Sequence, residues 1–210
     1  MAENEAIEKK LSAARTWLII DKPFLRARVL RLPMVAADPK WCPSIATDAR
    51  SIFYNPAYID ALNLEQTKFI LAHAALHAAL THFNRRGHRD QRRWDIATDY
   101  AINPLLAADG LKPPPGALLM DAYAGMTAEE IYPYIKENTN EEPLDQHVYD
   151  GTPPPLQPPS RGQTGEKPKD NNSQDSSGKN QGEPDPETGG APQPPPLSQA
   201  EREALAIQWQ

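Results

Sequence analysis

The sequence predicts an α+β domain, mainly helical with a small sheet or hairpin, followed by a disordered proline-rich linker. Three observations carry this. Helical spacing of apolar residues, with capping signals, recurs from residue 3 to about residue 137. Short runs rich in β-branched and aromatic residues lie at 34–37, 44–47 and 50–54, between the helical stretches. Twelve of the 23 prolines fall within 151–197, where only Leu156, Ala191 and Leu197 are aliphatic. A segment of that composition cannot offset the entropy of ordering. The expected organisation is a domain over 1–140, a linker over 141–197, and over 198–210 the start of a further region that the chain breaks off.

The elements follow in order. Ile7, Leu11, Ala14 and Leu18 form one stripe of a first helix over 3–20, which Pro23 breaks. Residues 24–32 mix apolar and basic types, compatible with helix or strand. After the two short strand candidates, Asp48 and Ala49 turn the chain into 50–54, the best strand signal. Asn55-Pro56 is an N-cap with proline at the first helical position. Asn63 and Gln66 form a capping box opening a helix to about Asn84, apolar nearly all round and therefore buried. Asp90 caps a helix to Ala107, and Thr127 with Glu130 caps one to about Glu137. Ser198 and Glu201 repeat the pattern before an amphipathic run ending at Trp209.

Composition narrows the function. With 22 basic and 28 acidic residues the net charge is −6, which argues against a nucleic-acid footprint over the whole chain. A single cysteine, Cys42, excludes an internal disulfide framework and a cysteine-rich zinc module. No apolar run approaches the roughly 20 residues of a membrane span, and the charged N-terminus is unlike a signal peptide. A cytoplasmic protein without a membrane partner is expected.

Four of the five histidines, His73, His77, His82 and His88, lie within sixteen residues. His73 and His77 stand one turn apart, about 40° around the helix axis. That spacing lets two imidazoles bind one metal ion from one face. Two imidazoles on an otherwise apolar helix are costly unless each ring nitrogen finds a partner, and Zn2+ would be one. On the next helix Asp95, Asp99 and Asn103 recur every four residues. Antiparallel packing would bring one carboxylate to the histidine pair, completing a three-ligand site with an open fourth position. Asp99 is the expected third ligand. His82 is the alternative, but on a continuous helix it lies about 180° from His73 and needs a break near Thr81. Asp95 and Asn103 are expected to orient the imidazoles from behind. His88 reads as an exposed turn residue, and His147 as having no specific role.

Residues 45–56 (IATDARSIFYNP), 71–77 (LAHAALH), His82, Arg85 and Arg86, 94–103 (WDIATDYAIN) and 125–132 (GMTAEEIY) together resemble the family of predicted metal-dependent, zincin-like peptidases that precede a VWA-like domain. The resemblance spans about residues 5–137. It implies a zinc-dependent endopeptidase acting on protein or peptide substrates, a VWA-like domain beyond the linker, and an AAA+ ATPase partner. The family pattern is H-E-x-x-H, and here Ala74 stands where the glutamate belongs. In a zincin that glutamate is the general base, and alanine has no proton to move. The resemblance therefore implies an inactive chain, with a deliberate substitution expected rather than a natural pseudoenzyme.

The alternative function is a non-catalytic binding module on the same scaffold. A DNA-responsive version rests on Arg85, Arg86, Arg89, Arg92 and Arg93, five arginines in nine residues, as contacts for single-stranded DNA. For the peptidase reading, residues 50–54 are the expected cleft-edge strand that pairs with an extended substrate.

Overall fold

The computed structural model describes residues 2–149 and 190–209. Residues 150–189 of the linker predicted over 141–197 lie outside the described residues. Eight helices and a four-stranded sheet are seen among those described.

Helix α1 (Ala2–Asp21) buries its predicted stripe of Ile7, Leu11, Ala14 and Leu18. Residues 24–32 resolve as helix: α2 (Pro23–Arg31) has proline at its first turn and ends where Leu32 turns extended. Three strands follow, β1 (Met34–Ala36), β2 (Ile45–Thr47) and β3 (Ile52–Tyr54). The turn between β2 and β3 is held by Asp48, whose Oδ1 accepts from the amides of Arg50 (2.9 Å) and Ser51 (2.7 Å). β3 pairs with β1 on one side and β2 on the other, so it is interior. The expectation of a substrate-pairing edge at 50–54 is thereby corrected.

Helix α3 (Pro56–Ala61) is capped by Asn55, and α4 (Leu64–Ala79) by the reciprocal Asn63–Gln66 box. Every residue of α4 from Thr67 to Ala78 is buried, against α1, α2 and the sheet. α4 stops earlier than the periodicity suggests. Thr81 sits at φ +52, a left-handed conformation that a β-branched residue rarely adopts, and a short α5 (His82–Arg85) starts in a new direction. The break is held from outside: Arg85 Nη1 donates to Leu80 O (3.0 Å) and Trp94 Nε1 to His82 O (3.3 Å).

Helix α6 (Gln91–Ala108), capped by Asp90, packs on α4 with one face and on α7 (Ala128–Ile131) with the other. The helix expected to run to about Glu137 is shorter, since Tyr132–Tyr134 tighten into a 3-10 turn. Among the described residues no helix is long and apolar enough to cross a membrane.

Residues 141–149, placed in the linker by composition, are part of the packed structure. Leu144, Asp145, His147, Val148 and Tyr149 are buried, and β4 (Gln146–His147) adds to the edge of β2 in parallel. The sheet order is β1-β3-β2-β4. The chain also returns to this core after residue 189. Ala191 bridges Ala37 beside β1, and a Cβ on Gly190 would stand 2.3 Å from the Ala37 carbonyl carbon, so only glycine fits this approach. Helix α8 (Gln199–Trp209) follows, with Leu197, Ala206 and Trp209 buried in the same apolar cluster as α1 and α4. Residues 198–209, expected to open a further region, thus pack on the domain already described.

Candidate metal centre

Two helices and one strand build the site. The face of α4 carries His73 and His77, the facing turn of α6 carries Asp99, and Asp145 enters just ahead of β4. One donor atom from each lies within 4.8 Å of every other, and all four residues are buried. His73 Nε2 and His77 Nε2 are 3.0 Å apart. Asp99 Oδ1 stands 3.5 and 3.4 Å from them, and Asp145 Oδ1 3.4 and 3.8 Å.

The groups behind these donors fix which atoms face inward. His73 Nδ1 donates to Asn103 Oδ1 at 2.8 Å, while Asn103 Nδ2 donates to Leu118 O at 3.1 Å and so holds the amide in that orientation. Nε2 of His73 is thereby left to face the centre. His77 Nδ1 lies 3.2 Å from His82 Nδ1. With Nε2 of His77 presented as a lone pair, its Nδ1–H donates to His82, whose own proton then sits on Nε2. Asp99 Oδ2 accepts from the Leu144 amide at 2.6 Å, which aims Oδ1 inward. Asp95 reaches His147 rather than the histidine pair, its Oδ1 accepting from His147 Nδ1 at 2.6 Å.

Sequence reasoning missed Asp145 and His147. Residues 144–149 (LDQHVY) show no apolar–polar alternation, and the only local signal was an acid and an imidazole two positions apart, the spacing that puts both on one face of an extended chain. The expectation that His147 has no specific role is corrected by its place, with its ring centroid 4.2 Å from that of His77. His82 also changes position: the break at Thr81 turns it back against His77, although it stays behind the donor cluster. Ala74 is fully buried beside the pair and offers no polar group. The arginines are engaged locally. Arg85 forms a two-point pair with Glu129, Arg92 reaches Glu142, Arg93 lies 3.9 Å from Glu137, Arg86 donates to Arg89 O, and Arg89 lies over the Trp94 ring.

Charge balance shows what the cluster lacks. Burial alone would neutralise His73, but Asp99 and Asp145 overcome it and hold its pKa up to about 10. His147 is likewise held well above the ordinary range by Asp145 and Asp95 despite its burial. Burial takes His77 down to about 4, and pushes Asp95 up to about 6 against the pull of His147. Asp99 and Asp145 stay ionised: burial would raise both, and the surrounding imidazoles hold them low. Three carboxyl groups, Asp95, Asp99 and Asp145, are thus crowded into one buried cluster, a costly arrangement unless cationic groups face them. A divalent cation between the donors would offset these carboxylates directly. The unsatisfied atoms agree. Among the described residues, Asp99 Oδ1 and both Asp145 oxygens are buried without a hydrogen-bond partner. Asp145 Oδ1 lies 3.1 Å from His147 Nε2, a charge contact whose angle is too poor for a hydrogen bond.

Two imidazoles and two carboxylates around one point, with carboxylate oxygens left unpartnered among the described residues, can hold a metal ion. The family described as "Putative metallopeptidase domain" matches residues 6–210. The chain belongs to this family. A protein of Thermotoga maritima, named only as an uncharacterized protein, is 38% identical over 65 residues, covering 29% of this chain and 16% of the relative. The alignment thus spans only a small part of that relative. No solved structure matches.

Proposed function

We propose that this metallopeptidase-family domain is a zincin-like, zinc-dependent endopeptidase domain of the cytoplasm, with His73, His77 and Asp99 holding zinc and with Ala74 in the position of the general base. The donor spacing carries the reading. The edge of a tetrahedron drawn at zinc–nitrogen and zinc–oxygen distances is about 3.3–3.5 Å, and the separations among the His73, His77 and Asp99 donors run from 3.0 to 3.5 Å. Bound zinc would supply Lewis acidity toward a substrate carbonyl and acidify water. The chain's own residues supply the rest. Asn103 and His82 lock the ring orientations, Asp99 is aimed by the Leu144 amide, and the burial of all these residues excludes bulk water. A proton acceptor is missing at Ala74, so this chain binds without efficient turnover.

The test compares this chain with Ala74→Glu on an unfolded protein substrate, both loaded with zinc. The Glu form is expected to cleave roughly 10²–10⁴-fold faster, the usual contribution of a positioned base. Equal rates would remove the peptidase reading and leave a non-catalytic zinc-binding module, which the alanine at position 74 also favours. That second reading keeps the zinc site and predicts retained peptide binding by both forms.

The ligand assignment has its own test. Asp99→Ala is expected to weaken zinc far more than His82→Ala, since His82 acts through His77 and such groups are worth roughly 10–100-fold in affinity. Competition with a chromophoric chelator reads both, and the reverse ranking would make His82 the ligand.

A further inference from the structure

Asp145 stands apart from the other donors. His73, His77 and Asp99 sit on long helices, whereas Asp145 precedes a two-residue strand laid on the sheet's edge. A hydrolytic metal site keeps one position open, and a four-donor protein shell closes it. Asp145 therefore occupies the place a peptidase would reserve for substrate chemistry. Its neighbours occupy the place of a substrate main chain. β4 runs along β2, with Ala46 opposite Gln146 and Thr47 opposite His147, and Val148 N donates to Thr47 O at 3.1 Å. An extended peptide added to a sheet edge makes bonds of this kind. The segment is tied to the site itself by the Leu144 amide on Asp99 and by His147 on Asp95.

We propose that residues 144–149 are an internal occupant of the peptide cleft, and that Asp145 is a displaceable fourth ligand that keeps the metal closed until an extended peptide takes the β2 edge. This rests on the zinc-site reading above. Release requires Leu144, Val148 and Tyr149 to leave their buried places as well as the short β4 ladder, so the closed form dominates, while the three helix-borne donors keep the metal when the segment lifts. Removing Asp145 opens one coordination position without dismantling the site. Loosening β4 does the same with Asp145 intact.

The experiment uses the whole chain loaded with cobalt(II), whose visible spectrum reports coordination number, and azide as a small exogenous ligand. The unaltered chain is expected to show a four-coordinate spectrum that azide barely perturbs. Asp145→Ala should retain cobalt and bind azide about tenfold or more tightly, the factor by which a plug closed nine-tenths of the time lowers apparent affinity. Val148→Pro, which removes the bond to Thr47, should shift azide binding in the same direction and speed hydrogen exchange across 144–149; it carries the test should Asp145→Ala not fold. If the unaltered chain already binds azide as tightly as the variants, the position is open and the proposal is overturned. Loss of cobalt from folded Asp145→Ala, or an unmoved Val148→Pro, also overturns it by making Asp145 a permanent ligand. Failure of the unaltered chain to bind cobalt instead removes the metal reading on which the proposal stands.

Discussion

His77→Ala is expected to abolish metal binding and, with it, the largest ligand-dependent part of the domain's stability. His77 Nε2 lies 3.0 Å from His73 Nε2 and 3.4 Å from Asp99 Oδ1, so its loss removes one corner of the donor set and leaves a void where α4 faces α6. A ligand that binds only the native state stabilises it by about 4 kcal/mol at a thousandfold excess over its dissociation constant. Zinc should therefore raise the unfolding midpoint of the unaltered chain and leave His77→Ala unmoved. Elemental analysis gives the companion result, one zinc per chain before substitution and none after. Absence of stoichiometric metal in the unaltered protein would falsify the centre. The pH dependence has a definite sign. His73 carries a proton up to about pH 10 in the metal-free site, and metal must displace it. Zinc uptake at neutral pH should release protons, and affinity should rise with pH as that competition weakens.

How much of this was legible in the sequence follows from the range over which each signal acts. His73 and His77, and Asp95, Asp99 and Asn103, obey the four-residue spacing of a helix face, a local regularity. Antiparallel packing of two such helices was then enough to place Asp99 beside the pair. Asn103 and Asp95 were legible as neighbours of imidazoles, but which imidazole each one meets was not. Asp95 meets His147, 52 positions away. Thr81 hid the turn of His82, because its left-handed backbone is imposed by Arg85 and Trp94 rather than by its own preference. Ala49 is similar: its φ of +64 follows from the Asp48 turn and not from a glycine. Asp145 and His147 were missed for a third reason. A two-residue strand is too short for a pattern, and it lies next to prolines that mark the surrounding composition as linker. What made it fold is contact with β2 and α6, which composition does not record.

The same long-range logic makes Trp209→Ala the strongest expected perturbation away from the metal. Trp209 is buried, shares a core cluster with Leu11 and Phe69, and donates from Nε1 to Ala49 O at 3.3 Å. Truncating a buried tryptophan costs about 3–5 kcal/mol, which for a domain of this size corresponds to a fall of roughly 10 °C in Tm. Ile207, two residues earlier on α8, is 74% exposed, and Ile207→Ala should change stability by no more than about 0.5 kcal/mol. The contrast between neighbours on one short helix separates burial from helix propensity. It also decides where α8 belongs. If it packs with α1 and α4, Trp209→Ala lowers a single cooperative transition that still responds to zinc. If it opened an independent region, both substitutions would leave the zinc-responsive transition where it is. The Ala49 carbonyl adds a second reason to expect the larger loss. It is the left-handed corner between β2 and β3, and without the indole it keeps a buried oxygen with one partner fewer. Trp209→Phe restores the apolar bulk but not the donor. It should recover most of the lost stability, and the remainder measures the hydrogen bond to Ala49, about 1 kcal/mol.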